Sequence, residues 1–176
     1  NPNDREQVAK ALGIDFDAWL AIARHLLREQ AGPLSVKNGR WKVEDRSNLW
    51  QAVGSQLLDA DLDRVSGVAL RILSENDSAL DIPKEERHLA SMHGKAARYS
   101  STLRNGIADG LAILGCYPGS CVNCTRWQTE RVAETVVREV LTDGDWIRWG
   151  SLDDQLPALS EAAPTVFLDV LEDTLR

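Results

Sequence analysis

Residues 145–176 show the clearest pattern in the chain, two short stretches of helical apolar spacing separated by a break. Ser151, followed three residues later by Asp154, has the spacing of a capping box and predicts the start of the first helix. Pro164 suits the first turn of the second helix, where its missing N–H would have no partner. Two short amphipathic helices cannot bury both apolar faces alone, so the pair predicts a stack of helical hairpins. The two faces contain Leu152, Leu156 and Leu159, then Phe167, Leu168, Leu171 and Leu175.

Apolar residues recur every three or four positions through most of the remaining chain, which is typical of amphipathic helices. Asn38 and Gly39, flanked by alternating apolar and polar residues, instead predict a β-hairpin near residues 34–43. No run of strands alternates with the helices, so the sequence predicts an all-α, mainly helical fold of stacked helical hairpins, α-solenoid-like or an irregular helical array. Helices are predicted at about 3–12, with Gly13 as the stop, and at 16–30, 45–58, 61–74, 83–96, 101–114 and 125–142.

We expect residues 1–176 to form a single helical module. The first residue is Asn1 and not Met, which favours a fragment of a larger protein. A subdivision would place N-terminal helices in residues 1–33, the hairpin and central helices in 34–115, and the Cys-containing loop with the C-terminal helices in 116–176.

Charge and composition argue against several classes of function. The chain is 43% hydrophobic and 27% charged, with a formal net charge of -7 and a pI of about 5.0. Nucleic acid and anionic membranes both reward dense positive charge, so neither is an expected partner. No apolar run approaches the roughly 20 residues that span a bilayer. Three clustered cysteines fit a reducing compartment, and we predict a cytoplasmic protein.

Cys116, Cys121 and Cys124 form the sharpest local motif. Three thiolates at this spacing could surround a zinc ion or an iron–sulfur cluster, which would make the chain a small metal-binding regulatory domain. A fourth ligand is absent nearby, since His88 and His93 lie more than twenty residues earlier. The other interpretation is a loop whose thiols are small packing groups, and no cofactor is then expected.

The middle of this acidic chain is locally basic. If the basic side chains share a face, they could hold an anion, a phosphate or an acidic partner surface, and DNA binding is a further alternative. The competing interpretation is solvated helix faces paired with Glu85, Glu86 and Asp109. Tryptophans 146 and 149 could form part of an exposed surface for a neighbour. The candidate partner or anion-binding residues are Lys84, Arg87, Lys95, Arg98, Arg104, Trp146 and Trp149.

Catalytic motifs are missing from the sequence. It contains no Gly-x-Ser-x-Gly nucleophile elbow, no His-Glu-x-x-His pair and no phosphate-binding loop around Gly94-Lys95. We therefore predict no catalytic residues and no enzyme activity for this chain.

Several segments together resemble the helical middle region of large bacterial proteins that carry a predicted nucleotide-binding domain upstream and helical repeats downstream. The similar segments are 34–45, 83–95, 101–115, 151–164 and 167–170. The resemblance implies a helical scaffold and leaves any ATPase activity outside these residues. The leading hypothesis is thus a non-enzymatic scaffold, interaction or relay module whose partners are neighbouring domains of the parent protein or another protein.

Overall fold

A computed structural model describes residues 1–27, 34–37, 40–142 and 144–176. The predicted fold class is confirmed, because helices dominate and the described strands form one two-stranded antiparallel sheet. None of the helices within the described residues is both long enough and apolar enough to cross a bilayer. The helices and strands, in chain order, are α1 Pro2–Leu12, α2 Phe16–Leu26, β1 Leu34–Lys37, β2 Arg40–Val43, α3 Arg46–Gly54, α4 Asp59–Leu73, α5 Ser101–Cys116, α6 Arg126–Leu141, α7 Trp146–Ser151, α8 Leu156–Ala162 and α9 Pro164–Leu175.

Short polar side chains set the helix starts. Asp15 accepts hydrogen bonds from the backbone N–H groups of the first turn of α2, and Asp45 does the same for α3. Ser100 caps α5 through the Leu103 N–H at 3.1 Å. Each cap satisfies a backbone donor that the helix itself leaves unpaired. At the end of α1, Gly13 takes the left-handed conformation with φ 68°, as predicted.

The main core lies where α4, α5, α6, α8 and α9 meet. Its fully buried side chains include Leu73 from α4, Leu111 from α5, Val136 from α6 and Leu159 from α8. The helices α5 and α8 lie in close contact at Gly115, where an added Cβ would lie 2.0 Å from the Ala162 carbonyl oxygen. The predicted helix at 101–114 extends to Cys116 in the structure, so Gly115 lies in its last turn at this contact.

The N-terminal elements lie outside this core. The helix α1 packs on α4, and α2 packs on α1. The hairpin pairs Leu34 with Val43 and Val36 with Trp41 as predicted, but Val36 is 50% exposed and Trp41 40% exposed. The predicted Asn38-Gly39 turn and the predicted end of α2 at residues 28–33 lie outside the described residues.

Three local predictions are wrong. Ser151 does not cap a helix start, because it is the last residue of α7 and its hydroxyl donates to the Ile147 carbonyl. The N-terminal cap of α7 is Asp145. The predicted helix at 83–96 is a 3-10 segment over Lys84–Leu89 followed by turns, and Met92 is 80% exposed. On α9 the buried positions are Val166 and Val170, while the predicted core residues Leu168 and Leu175 are 62% and 78% exposed.

Candidate functional site

An apolar groove runs between α3 and α5, and we call it the α5 groove. Its floor is the backbone of α5 at Gly106 and Gly110, and its wall carries Trp50 and Val53 of α3. An outer part of about 320 Å³ adjoins an inner part of about 230 Å³. The remaining lining residues are Val43, Arg46, Leu49, Leu57, Asp61, Leu62, Val65, Ile107, Asp109, Leu111, Ile113 and Leu114.

The sequence of α5 explains the open floor. Gly106 and Gly110 are one helical turn apart and therefore lie on the same face. Both residues are exposed, and a Cβ added to either would meet no described atom within 4 Å. Glycine in a helix interior costs roughly 0.5–1 kcal/mol relative to alanine, so two of them here weaken α5 without any packing need at these positions.

The helix α3 is held at its start, its middle and its end, which keeps the groove in shape. The Trp50 indole N–H donates to the Tyr117 carbonyl at 3.1 Å. Gly54 lies against the Pro118–Ser120 turn so tightly that an added Cβ would lie 2.9 Å from Ser120. Near the opposite end, Arg46 forms a 2.8 Å ion pair with Asp109 of α5. These contacts join α3 to α5 and to the turn that follows α5, while the glycine floor beside α3 stays open.

The lining fits an apolar ligand surface. Among the described lining residues the charged ones are Arg46, Asp61 and Asp109, and two of these pair with each other across the outer part. The inner part is bounded almost entirely by aliphatic and aromatic side chains and by the glycine floor. Such a concave apolar surface with polar groups at its margin is typical of a binding site.

A second, polar cavity of about 260 Å³ surrounds Arg104, and we call it the Arg104 cavity. Arg104 is only 8% exposed, and its guanidinium donates at 2.8 Å to both the Glu75 and the Ser151 carbonyls. Burial lowers the pKa of Arg104, and the neighbouring Asp77 carboxylate opposes that change. Arg148 similarly donates to the Leu73 carbonyl at 3.2 Å. Both arginines therefore satisfy carbonyls at the C-terminal end of α4.

The charge around the Arg104 cavity does not favour a free anion. Arg98 lies at its rim with a guanidinium nitrogen 3.9 Å from Glu75, so two arginines line the cavity. Four carboxylates, those of Glu75, Asp77, Asp153 and Asp154, line it as well. With more negative than positive side chains at hand, the cavity would repel a phosphate.

The other predicted basic residues lie apart from the Arg104 cavity. Lys84 is exposed on the 3-10 segment Lys84–Leu89. In the same segment Arg87 donates to the Ile82 carbonyl at 3.2 Å. Lys95 pairs with Asp81 at 2.9 Å. The Arg87 bond is part-buried, whereas the Lys95–Asp81 pair is exposed, as expected of a solvated surface.

The two predicted surface tryptophans have different environments. Trp146 is 61% exposed. Trp149 is half-buried and packs edge-to-face against Phe167, with ring centroids 6.0 Å apart. Its indole nitrogen is buried and has no hydrogen-bond partner within the described ranges. Trp149 thus contributes to the junction of α7 and α9, and Trp146 is the one of the pair available to a neighbour.

The three cysteines do not form a common group. The Cys116 thiol lies 3.7 Å from a carboxylate oxygen of Glu161, whereas the Cys124 thiol donates to the Leu57 carbonyl at 3.3 Å. Burial raises the pKa of Cys121 to about 11. In the part of the chain that the structure describes, no group of three or more His, Cys, Asp or Glu residues is placed to hold a metal ion. A metal site at Cys116, Cys121 and Cys124 thus remains a prediction without an assembled ligand set.

The sequence interpretation missed the α5 groove. It used the apolar stripe of α5, at Leu103, Ile107 and Leu111, and passed over the two glycines on the neighbouring face. The spacing of Gly106 and Gly110 can be read from the sequence, but the position of α3 beside these glycines cannot. Comparison with protein-family models, with curated proteins and with solved structures finds no match to this chain.

Proposed function

We propose that this protein is a non-enzymatic interaction module whose α5 groove binds the apolar face of a helix from a neighbouring domain or from another protein. The observation that carries the proposal is the exposed floor at Gly106 and Gly110, with no described atom within 4 Å of an added Cβ. In the setting that the resemblance implies, the partner helix would belong to a bacterial cytoplasmic protein with a nucleotide-binding domain, and the module would relay or restrain that domain.

The geometry favours a helix as the occupant. Glycines four residues apart remove side chains from one strip of α5, so a second backbone can approach closely there, as in small-residue helix contacts. Apolar side chains on both sides of the strip, such as Val53 and Ile113, could receive the ridges of an amphipathic helix. The Arg46–Asp109 pair at the margin offers polar contacts to the partner's rim.

The test fills the groove without harming the fold. Gly110→Leu adds a side chain where the structure has open space and also raises helix propensity, so the variant should fold at least as stably as the wild type. Gly67→Leu is the matched control, because Gly67 is exposed on α4, lies outside the groove and also has no described atom within 4 Å of an added Cβ.

Immobilised wild-type, Gly110→Leu and Gly67→Leu proteins are exposed to an extract of the cells that produce the protein, and the retained proteins are compared by mass spectrometry. A partner should be retained by the wild type and by Gly67→Leu and lost by Gly110→Leu. Once purified, it should bind Gly110→Leu at least about tenfold more weakly, a difference of about 1.4 kcal/mol. Equal binding of that partner to all three proteins would exclude the α5 groove as its site.

A further inference from the structure

Cys121 and Cys124 lie at the two ends of one tight turn before α6. The Cys124 backbone N–H donates to the Cys121 carbonyl at 3.0 Å, which closes a four-residue turn. Such turns bring their first and last Cα atoms within about 7 Å, and disulfides usually join Cα atoms about 4.4–6.8 Å apart. Each thiol also acts on the pKa of the other, as expected of close neighbours. The backbone therefore already holds the pair near disulfide distance.

The surroundings distinguish the two thiols from each other and from Cys116. Cys121 is 4% exposed and packs with Leu62, Leu114 and Val132. Cys124 is half-buried and more accessible to a reagent in solvent. Cys116 is exposed, contacts Glu161, and is separated from the pair in the chain by the Pro118–Ser120 turn.

We propose that Cys121 and Cys124 are a redox pair that closes reversibly to an intramolecular disulfide in the presence of a low-molecular-weight disulfide. The Cys124 thiolate attacks one sulfur of that reagent, forms a mixed disulfide and expels one thiolate. The Cys121 thiolate then attacks the Cys124 sulfur, forms the protein disulfide and expels the second thiolate. Two protein thiols are oxidised, one small disulfide is reduced to two thiols, and the protons of the protein thiols pass to the expelled thiolates.

The local environment sets the rate and direction of this exchange. Burial raises the pKa of both thiols, and the negative charge of Asp59 raises that of Cys124 further. Because the thiolate is the nucleophile, closure should be slow at neutral pH and faster at alkaline pH. The same environment disfavours the thiolates that reduction would release, so the disulfide should resist reduction once formed.

Closure would change one contact beside the α5 groove. Cys124 would lose its thiol proton and with it the hydrogen bond to the Leu57 carbonyl. Leu57 lines the inner part of the groove, so the redox state of the pair acts on a residue of that wall. The proposal of a redox pair stands on the turn itself and does not depend on what the groove binds.

The experiment equilibrates the protein in glutathione buffers of graded redox poise, followed by differential alkylation and peptide mass mapping. The wild type and Cys116→Ser should each form one intramolecular disulfide, with Cys121 and Cys124 protected together and the mass lowered by two hydrogens. In Cys116→Ser the segment between Arg104 and Arg126 contains only this pair, which makes the assignment unambiguous. The rate of closure should rise with pH.

Two results would overturn the proposal. One is a fully reduced pair in the most oxidising buffer, and the other is a stable mixed disulfide with glutathione on Cys124 while Cys121 stays free. Cys124→Ser should form no intramolecular disulfide, and the wild-type mapping decides the question by itself if that variant fails to fold.

Discussion

Arg104 shows how one buried side chain can join distant parts of this fold. Its two terminal nitrogens donate separately to carbonyls that lie 29 and 47 residues away in the chain. A guanidinium can do this because its planar fork presents several donors at fixed spacing. The sequence suggested an anion site at this residue, whereas the structure shows it satisfying the backbone at the ends of α4 and α7.

We predict that Arg104→Leu lowers the free energy of unfolding by about 3 kcal/mol, because it removes two charge-assisted hydrogen bonds and leaves two carbonyls unpaired. Arg98→Ala is the matched control. Arg98 has a 59% exposed side chain, a long ion pair with Glu75 and a distant contact with the Tyr99 ring, so its loss should cost about 1 kcal/mol or less. Urea unfolding of both variants measures the difference, and equal losses would contradict the structural role of Arg104.

At the scale of elements, Asp59 links the starts of α4 and α6. Its carboxylate accepts hydrogen bonds from the Thr125 N–H at 2.7 Å and the Thr125 hydroxyl at 2.6 Å. These two bonds lower the pKa of Asp59. A carboxylate with a lowered pKa in the folded state stabilises the fold above its unfolded-state pKa, and that contribution is lost as the pH falls.

The stability of the wild type should therefore fall more steeply between about pH 5 and pH 2 than that of Asp59→Asn, which cannot titrate. Thr125→Val removes the hydroxyl donor and should give an intermediate slope. Urea unfolding across this pH range measures the slopes. Identical slopes for the wild type and Asp59→Asn would show that this junction carries no pH dependence.

The close packing of α5 against α8 requires a glycine at position 115. Gly115→Ala should destabilise the fold by about 2 kcal/mol or more, because the new Cβ would force α5 away from the Ala162 carbonyl. Gly67→Ala, in open space on α4, should stabilise it by roughly 0.5–1 kcal/mol. Thermal unfolding compares the two variants. A stabilised Gly115→Ala protein would contradict the described helix contact.

Local chemistry explains which elements could be predicted. Starts at Asp15, Asp45 and Ser100 were predictable because the caps act on backbone groups a few residues away. Ser151 has the same local pattern, but its hydroxyl is used by the Ile147 carbonyl and the distant Asp77 N–H. Residues 83–96 carry a helical composition, yet the structure buries Ala90 in place of Met92. Contacts with residues far away in the chain cannot be predicted from the few residues on either side.

At the scale of the whole molecule, the α5 groove forms where α3, fixed at Arg46, Trp50 and Gly54, lies beside the glycine floor of α5. The sequence shows the spacing of Gly106 and Gly110 and that of Cys121 and Cys124, which is the part of each proposed site that comes from neighbouring residues in the chain. It could not show that Trp50 would reach Tyr117 or that Cys124 would reach Leu57, since both contacts join residues 67 positions apart. The fold class was predictable from the periodicity of apolar residues, whereas the two sites could be located only from the packing of the helices.

The most direct test of the groove as a binding surface is site-specific photo-crosslinking in the assembled protein or complex. A photo-reactive phenylalanine derivative replaces Val53, a 38% exposed residue of the groove wall, in one protein and the exposed Gly67 of α4 in another, so that both glycines of the floor are kept. We predict that the probe at residue 53 crosslinks to one defined helical segment of the partner and that the probe at residue 67 does not. A bound partner that crosslinks equally from both positions, or from residue 67 alone, would contradict the account.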